Sequence, residues 1–107
     1  MPNTPKKYSV TVDPVAFGML AEHSDFLWQV SPEAANRLEL GFKKSIARIA
    51  DNPFQFPFAD DLDAPDLPPN AYRKCLFEGR YKALFWLGET EAHIIAVIDS
   101  RMGNRGI

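Results

Sequence analysis

The sequence predicts an α+β fold in the order β-α-α-β-β-β: one mainly antiparallel, twisted, four-stranded sheet with an N-terminal helical hairpin packed on one face. Three observations predict it. Tyr8, Val10 and Val12 alternate with Lys7, Ser9 and Thr11, the period of a half-buried strand. Residues 14–51 carry two amphipathic helical periods with almost nothing between them. Residues 72–99 hold three apolar runs separated by short turns, a meander that needs a helical layer to bury one face.

Asp13-Pro14 ends the first strand and starts a helix, with Asp as N-cap and Pro at the first helical position, where its missing N–H costs nothing. Ala16, Met19, Leu20, His23, Phe26, Leu27 and Val30 fall on one face of that helix. Ser31-Pro32-Glu33 repeats the start signal, and Ala35, Leu38, Phe42, Ile46 and Ile49 form the stripe of a second helix that stops at Asn52-Pro53. Gly41 in its middle costs about 1 kcal/mol against alanine and is read as permitting close helix–helix approach. Residues 53–70, with five prolines and four aspartates, form a connector that Phe54, Phe56 or Phe58 pins to the domain. Strands are expected over residues 72–77, 80–87 and 92–99, with Glu78-Gly79 as a two-residue turn between the first two.

The 107 residues suit one domain spanning 1–107, burying about 65% of the surface its unfolded chain exposes. Apolar runs reach only five residues where a membrane span needs about 20, and no apolar stretch follows the charged N-terminus, so no membrane contact and no signal peptide are expected. Cys75 is the single cysteine and the histidines are two, His23 and His93, which argues against an internal disulfide and against a zinc site of the usual kind. The expected compartment is the cytoplasm, with no metal and no cofactor. Net charge is −2, unevenly spread: residues 1–70 carry six Lys/Arg against ten Asp/Glu, residues 71–107 six against four. A nucleic-acid binder usually shows a basic whole-domain balance. This chain has at most a basic C-terminal third.

Several segments together resemble the RelE/ParE toxin superfamily of type II toxin–antitoxin systems, including plasmid-stabilisation proteins. They are Ser31-Pro32-Glu33-Ala34-Ala35, Ile49-Ala50-Asp51-Asn52-Pro53, Tyr72-Arg73-Lys74-Cys75-Leu76-Phe77, Gly79-Arg80-Tyr81-Lys82-Ala83-Leu84-Phe85 and Val97-Ile98-Asp99-Ser100-Arg101. The match covers roughly residues 7–101, and the hairpin looks closer to the ParE-like branch. The resemblance implies a growth-inhibiting toxin neutralised by a cognate antitoxin. A ParE-like protein blocks DNA gyrase without covalent chemistry; a RelE-like one cuts mRNA on the ribosome as a metal-independent endoribonuclease. A third reading is a degenerate, non-toxic interaction module. An antitoxin usually wraps this fold, so an exposed apolar patch is expected near the meander or the helical hairpin.

Metal-free RNA cleavage needs a base, an acid and cations to stabilise the phosphorane. Arg73, Lys74, Arg80, Lys82 and Arg101 offer the cations, and the resemblance marks an arginine after the last strand, here Arg101, as a recurrent functional position. Arg73, Lys74, Arg80 and Arg101 are the candidates for a nuclease; Arg80, Arg101 and Arg105 are the candidates for target binding. Alternation puts Arg73 and Lys74 on opposite faces, and the cations of one sheet face are expected to be free. The base is missing: the tail 102–107 holds neither Tyr nor His, the connector is acidic where RelE-like enzymes are basic, and Phe77 replaces their strand arginine. His93 and His23 read as satisfied or packed side chains, Cys75 as a core residue, and Trp28 and Trp86 as core or interface anchors. A Ser100–His93 hydrolase arrangement is disfavoured by their separation along one strand.

Overall fold

The computed structural model describes residues 7–60, 63 and 66–100. Strand β1 (Ser9–Val12) leads into helix α1 (Pro14–Val30) and helix α2 (Pro32–Asp51); strands β2 (Arg73–Phe77), β3 (Tyr81–Leu87) and β4 (Glu91–Asp99) follow. The boundaries are made by side chains that satisfy orphan backbone groups. Asp13 Oδ1 accepts the N–H of Val15 at 2.8 Å, while the Asp13 N–H donates to Ile94 O and ties the strand end to the sheet. Ser31 serves both helices. In extended conformation, it donates its N–H to Leu27 O at the end of α1 and accepts the N–H of Ala34 on its Oγ at the start of α2. One residue thus turns the hairpin.

The sheet order is β1-β4-β3-β2, with β1 parallel to the central β4 and the other pairs antiparallel. A bulge at Leu84/Phe85 shifts the β3–β4 register, so Phe85 faces Ile94 while Leu84 faces Ala96. The core lies between hairpin and sheet. Cys75, Phe77, Ala83, Phe85, Ile94 and Val97 from the strands meet Ala16, Leu27, Ala35, Leu38, Phe42 and Ile49 from the helices.

Four local expectations are corrected. Phe26 and Val30 are exposed, and Ser24 is buried in α1 instead: the core-facing stripe is narrower than the apolar composition of that helix. Gly41 does not serve helix–helix approach. A Cβ there would stand 2.9 Å from Glu78 Cγ and 3.2 Å from Phe77 Cδ2, so the glycine lets α2 approach the β2–β3 turn. That turn carries positive φ at Glu78 and Gly79, and Arg80 belongs to it; β3 starts one residue later. Trp28 and Trp86 are half-exposed, so neither is a core anchor.

The connector runs along the free edge of β2. Ala59 donates its N–H to Tyr72 O, Lys74 donates to Pro57 O, and Phe58 bridges Arg73. Phe56 is the pin, buried edge-to-face against Phe85 at 5.8 Å between centroids. Among the described residues no helix is long and apolar enough to cross a membrane.

Candidate functional site

On β2 and β3 the alternation places Lys74 and Lys82 on the sheet face away from the helices, and Arg73 on the other. The connector folds back over the lysines. Lys74 Nζ lies 2.9 Å from Asp63 Oδ2 and Lys82 Nζ 2.5 Å from Asp63 Oδ1, while the Asp60 N–H donates to Oδ2 at 2.8 Å. The Asp63 side chain is fully buried. Burial pushes its pKa up, but the hydrogen bonds from Lys82, Lys74 and the Asp60 N–H outweigh that and hold it down at about 2.

Arg73 is sandwiched by the connector. Its guanidinium donates to Phe56 O at 2.6 Å and lies over the Phe58 ring at 4.2 Å, with Phe54 at 5.4 Å. Arg80 donates from Nε and NH2 to one oxygen of buried Asp99, at 3.0 and 2.7 Å. The hydrogen bond to Asp99 raises the arginine's pKa against the opposing effect of burial. The expectation of free cations on the open sheet face is therefore overturned: Lys74 and Lys82 are neutralised by a connector carboxylate, and Arg73 and Arg80 have partners of their own. Arg101 and Arg105 lie outside the described residues. The Ser100 N–H and Oγ both donate to Arg80 O, at 2.8 and 2.6 Å, which fastens Ser100, the last described residue, to the backbone at Arg80.

His93 is held from both sides on the outer sheet face. Nδ1 meets Thr11 Oγ1 at 2.7 Å, Nε2 meets Glu91 Oε1 at 3.0 Å, and the ring stacks on Trp86 at 4.1 Å. The described partners of His93 are Thr11, Glu91 and Trp86, none of which stabilises negative charge on a phosphate. His23 Nε2 meets Val97 O at 3.1 Å, beside the Tyr81 ring, as a packed hairpin histidine does. Cys75 is fully buried, and burial raises its pKa despite Ser45 and Arg48 nearby. Ser100, engaged by Arg80 O, is not presented as a nucleophile. Among the described residues no cluster of three or more His, Cys, Asp or Glu is placed to hold a metal ion.

The exposed apolar surface expected near the meander or the hairpin lies on the hairpin. A groove of about 470 Å³ runs along its outer side, walled by Phe17, Leu20, Ala21, Trp28, Phe42 and Ile46. Phe17 is 53% exposed and Trp28 51%. Four polar side chains line the groove: Ser24, Asp25, Glu39 and Lys43, with Ser24 Oγ donating to Glu39 Oε2 at 2.8 Å. From the sequence, Leu20, Phe42 and Ile46 were placed on core stripes and Trp28 was read as a core or interface anchor, while Phe17 and Ala21 were not picked out. The signal was present: Phe17, Ala21 and Trp28 fall outside the core stripe of α1 at helical spacing, which makes that helix apolar on two sides.

No protein-family model and no curated protein sequence matches the chain. Among solved structures, a chain of the chromosomal ParDE TA system from P. aeruginosa superposes with a TM-score of 0.66 at 17% sequence identity, over 88% of this chain and 97% of that one. The protein therefore shares the fold of that chain, a helical hairpin laid on a four-stranded sheet.

Proposed function

We propose that the protein is the toxin of a type II toxin–antitoxin module, inhibiting growth by binding a protein target, with DNA gyrase favoured, until a cognate antitoxin neutralises it. The observation that carries this reading is the apolar groove on the hairpin of a ParDE-like fold, with Phe17 and Trp28 about half exposed on its walls. It suits a protein that spends part of its life covered by a partner.

Binding is favoured over RNA cleavage by the state of the cations. A nuclease needs positive charge free to meet the phosphorane. Here Lys74 and Lys82 converge on Asp63, and Arg80 on Asp99, while the described hydrogen-bond partners of His93 are Thr11 and Glu91. Arg80, Arg101 and Arg105 remain the proposed target-binding residues; Arg80 lies in the β2–β3 turn, and the other two lie outside the described residues. Induced expression with parallel readouts of mRNA integrity and DNA supercoiling tests the proposal. Growth arrest with relaxed or broken DNA and intact mRNA is the expected result; loss of intact mRNA sinks the gyrase reading, and an absence of any growth defect sinks the toxin reading. Arg101→Ala at equal protein level is expected to relieve the arrest, and unchanged arrest removes Arg101 from the site.

A further inference from the structure

We propose that, in the free protein, the hairpin groove is closed by a second copy of the same chain, paired about a twofold axis that crosses both helices in the plane of the exposed face. The argument rests on where four side chains sit along the groove. The Ser24–Glu39 hydrogen bond ties the antiparallel helices together and sets residue 24 of α1 about level with residue 39 of α2. Residue 22 is then level with residue 41. On α2, Glu39 and Lys43 are disposed equally about residue 41. On α1, Phe17 and Trp28 are disposed equally about a point between residues 22 and 23. The two midpoints coincide to within about one helical turn, roughly 5.4 Å, which the reach of the Glu39 side chain leaves open.

A twofold axis at that height turns α1 onto the partner's α1 and α2 onto the partner's α2, each pair antiparallel. Lys43 then faces the partner's Glu39, and Phe17 faces the partner's Trp28; symmetry makes each contact twice. Asp25 flanks the spot where the partner's Lys43 arrives. Ser24 occupies one carboxylate oxygen of Glu39, and an ionised carboxylate has capacity for a further donor. The result is a four-helix arrangement of antiparallel hairpins that removes Phe17, Trp28 and Leu20 from water.

The full chain at a series of concentrations, followed by sedimentation or light scattering, is expected to show a dimer that dissociates on dilution. Lys43→Glu and Glu39→Lys each set like charges against each other twice and are expected to weaken pairing at least tenfold. The double variant Lys43→Glu/Glu39→Lys restores opposite charges and is expected to recover most of the wild-type affinity, with circular dichroism and thermal melting confirming that all variants fold. In a Trp86→Phe background the emission of Trp28 is expected to shift to the blue as the dimer forms. A monomer at every concentration overturns the proposal, as does a Lys43→Glu protein that pairs like wild type, a folded double variant that stays monomeric, or a dimer that leaves Trp28 emission unchanged. A growth-arresting monomer would sink the pairing alone, and a dimer without effect on growth would sink the toxin assignment alone.

Discussion

A carboxylate with no exposed side-chain surface, gripped by Lys74, Lys82 and the Asp60 N–H, gives up those partners when it takes a proton. Asp63 has its pKa lowered from 3.8 to about 2. The sign follows: the native state binds the proton less readily than the unfolded chain, so this stabilisation is present above about pH 4 and disappears as the pH falls through 2. The shift corresponds to about 2 kcal/mol. Asp63→Asn is accordingly expected to lose about that much stability at pH 7, and its deficit relative to wild type should close between pH 4 and pH 2. Urea denaturation of both proteins across that range checks it; a constant deficit would show that Asp63 acts through packing instead of charge. Cys75 offers a second residue-scale prediction. Fully buried and with its pKa raised by burial, the thiol should react with an aromatic disulfide only as fast as the protein opens. Rapid labelling of the folded protein would contradict the core placement.

Among the described glycines, Gly41 is the one at which a neighbouring element comes closest, where α2 meets the β2–β3 turn. Alanine there gains about 1 kcal/mol of helix propensity but drives a Cβ to 2.9 Å from Glu78 Cγ and 3.2 Å from buried Phe77. Gly41→Ala is expected to destabilise by about 1–2 kcal/mol. Glu78→Ala removes the offending Cγ, so the same glycine substitution in that background should cost less than in wild type, and a double-mutant cycle by thermal unfolding reads the difference. Equal costs in both backgrounds would place the clash elsewhere. This contact also marks what the sequence could and could not convey. Caps and periodicity are local, and Asp13, Ser31 and Asn52 announced both helices to the residue; the succession of strands likewise followed from alternation and turn chemistry, whereas the parallel seat of β1 beside β4 was not read from the sequence. What a glycine faces is tertiary, so Gly41 could be read as special without its partner being known. The same holds for the site. Alternation correctly separated Arg73 from Lys74. That a connector aspartate would reach back to neutralise two lysines depends on how an irregular, proline-rich segment packs, and no period encodes that. The groove was legible in principle, because α1 carries more apolar residues than one face can hold, but a helix apolar on two sides reads at first as a broad core stripe.

At the scale of the whole molecule, the distribution of charge decides what kind of partner the surface can hold. The net charge is −2, and the four cations of the first two meander strands and their turn meet internal partners: Lys74 and Lys82 on Asp63, Arg80 on Asp99, Arg73 on the connector. Affinity for single-stranded nucleic acid falls with salt at a slope of about −0.7 per phosphate neutralised. Four free cations would give a slope near −3 in a plot of log K against log salt; a surface neutralised in this way should give one shallower than about −1. Asp63→Asn keeps the side-chain shape and releases Lys74 and Lys82 from their counter-charge. Its binding to a generic single-stranded RNA, followed by fluorescence anisotropy between low and moderate salt, is therefore expected to tighten and to steepen by about 1.4 in slope, two phosphates' worth. A wild-type slope already near −3 would mean that the lysines leave Asp63 for RNA, and would return the ribonuclease reading to first place. A variant no steeper than wild type would mean that this sheet face is closed to nucleic acid by the connector's shape as well as by its charge.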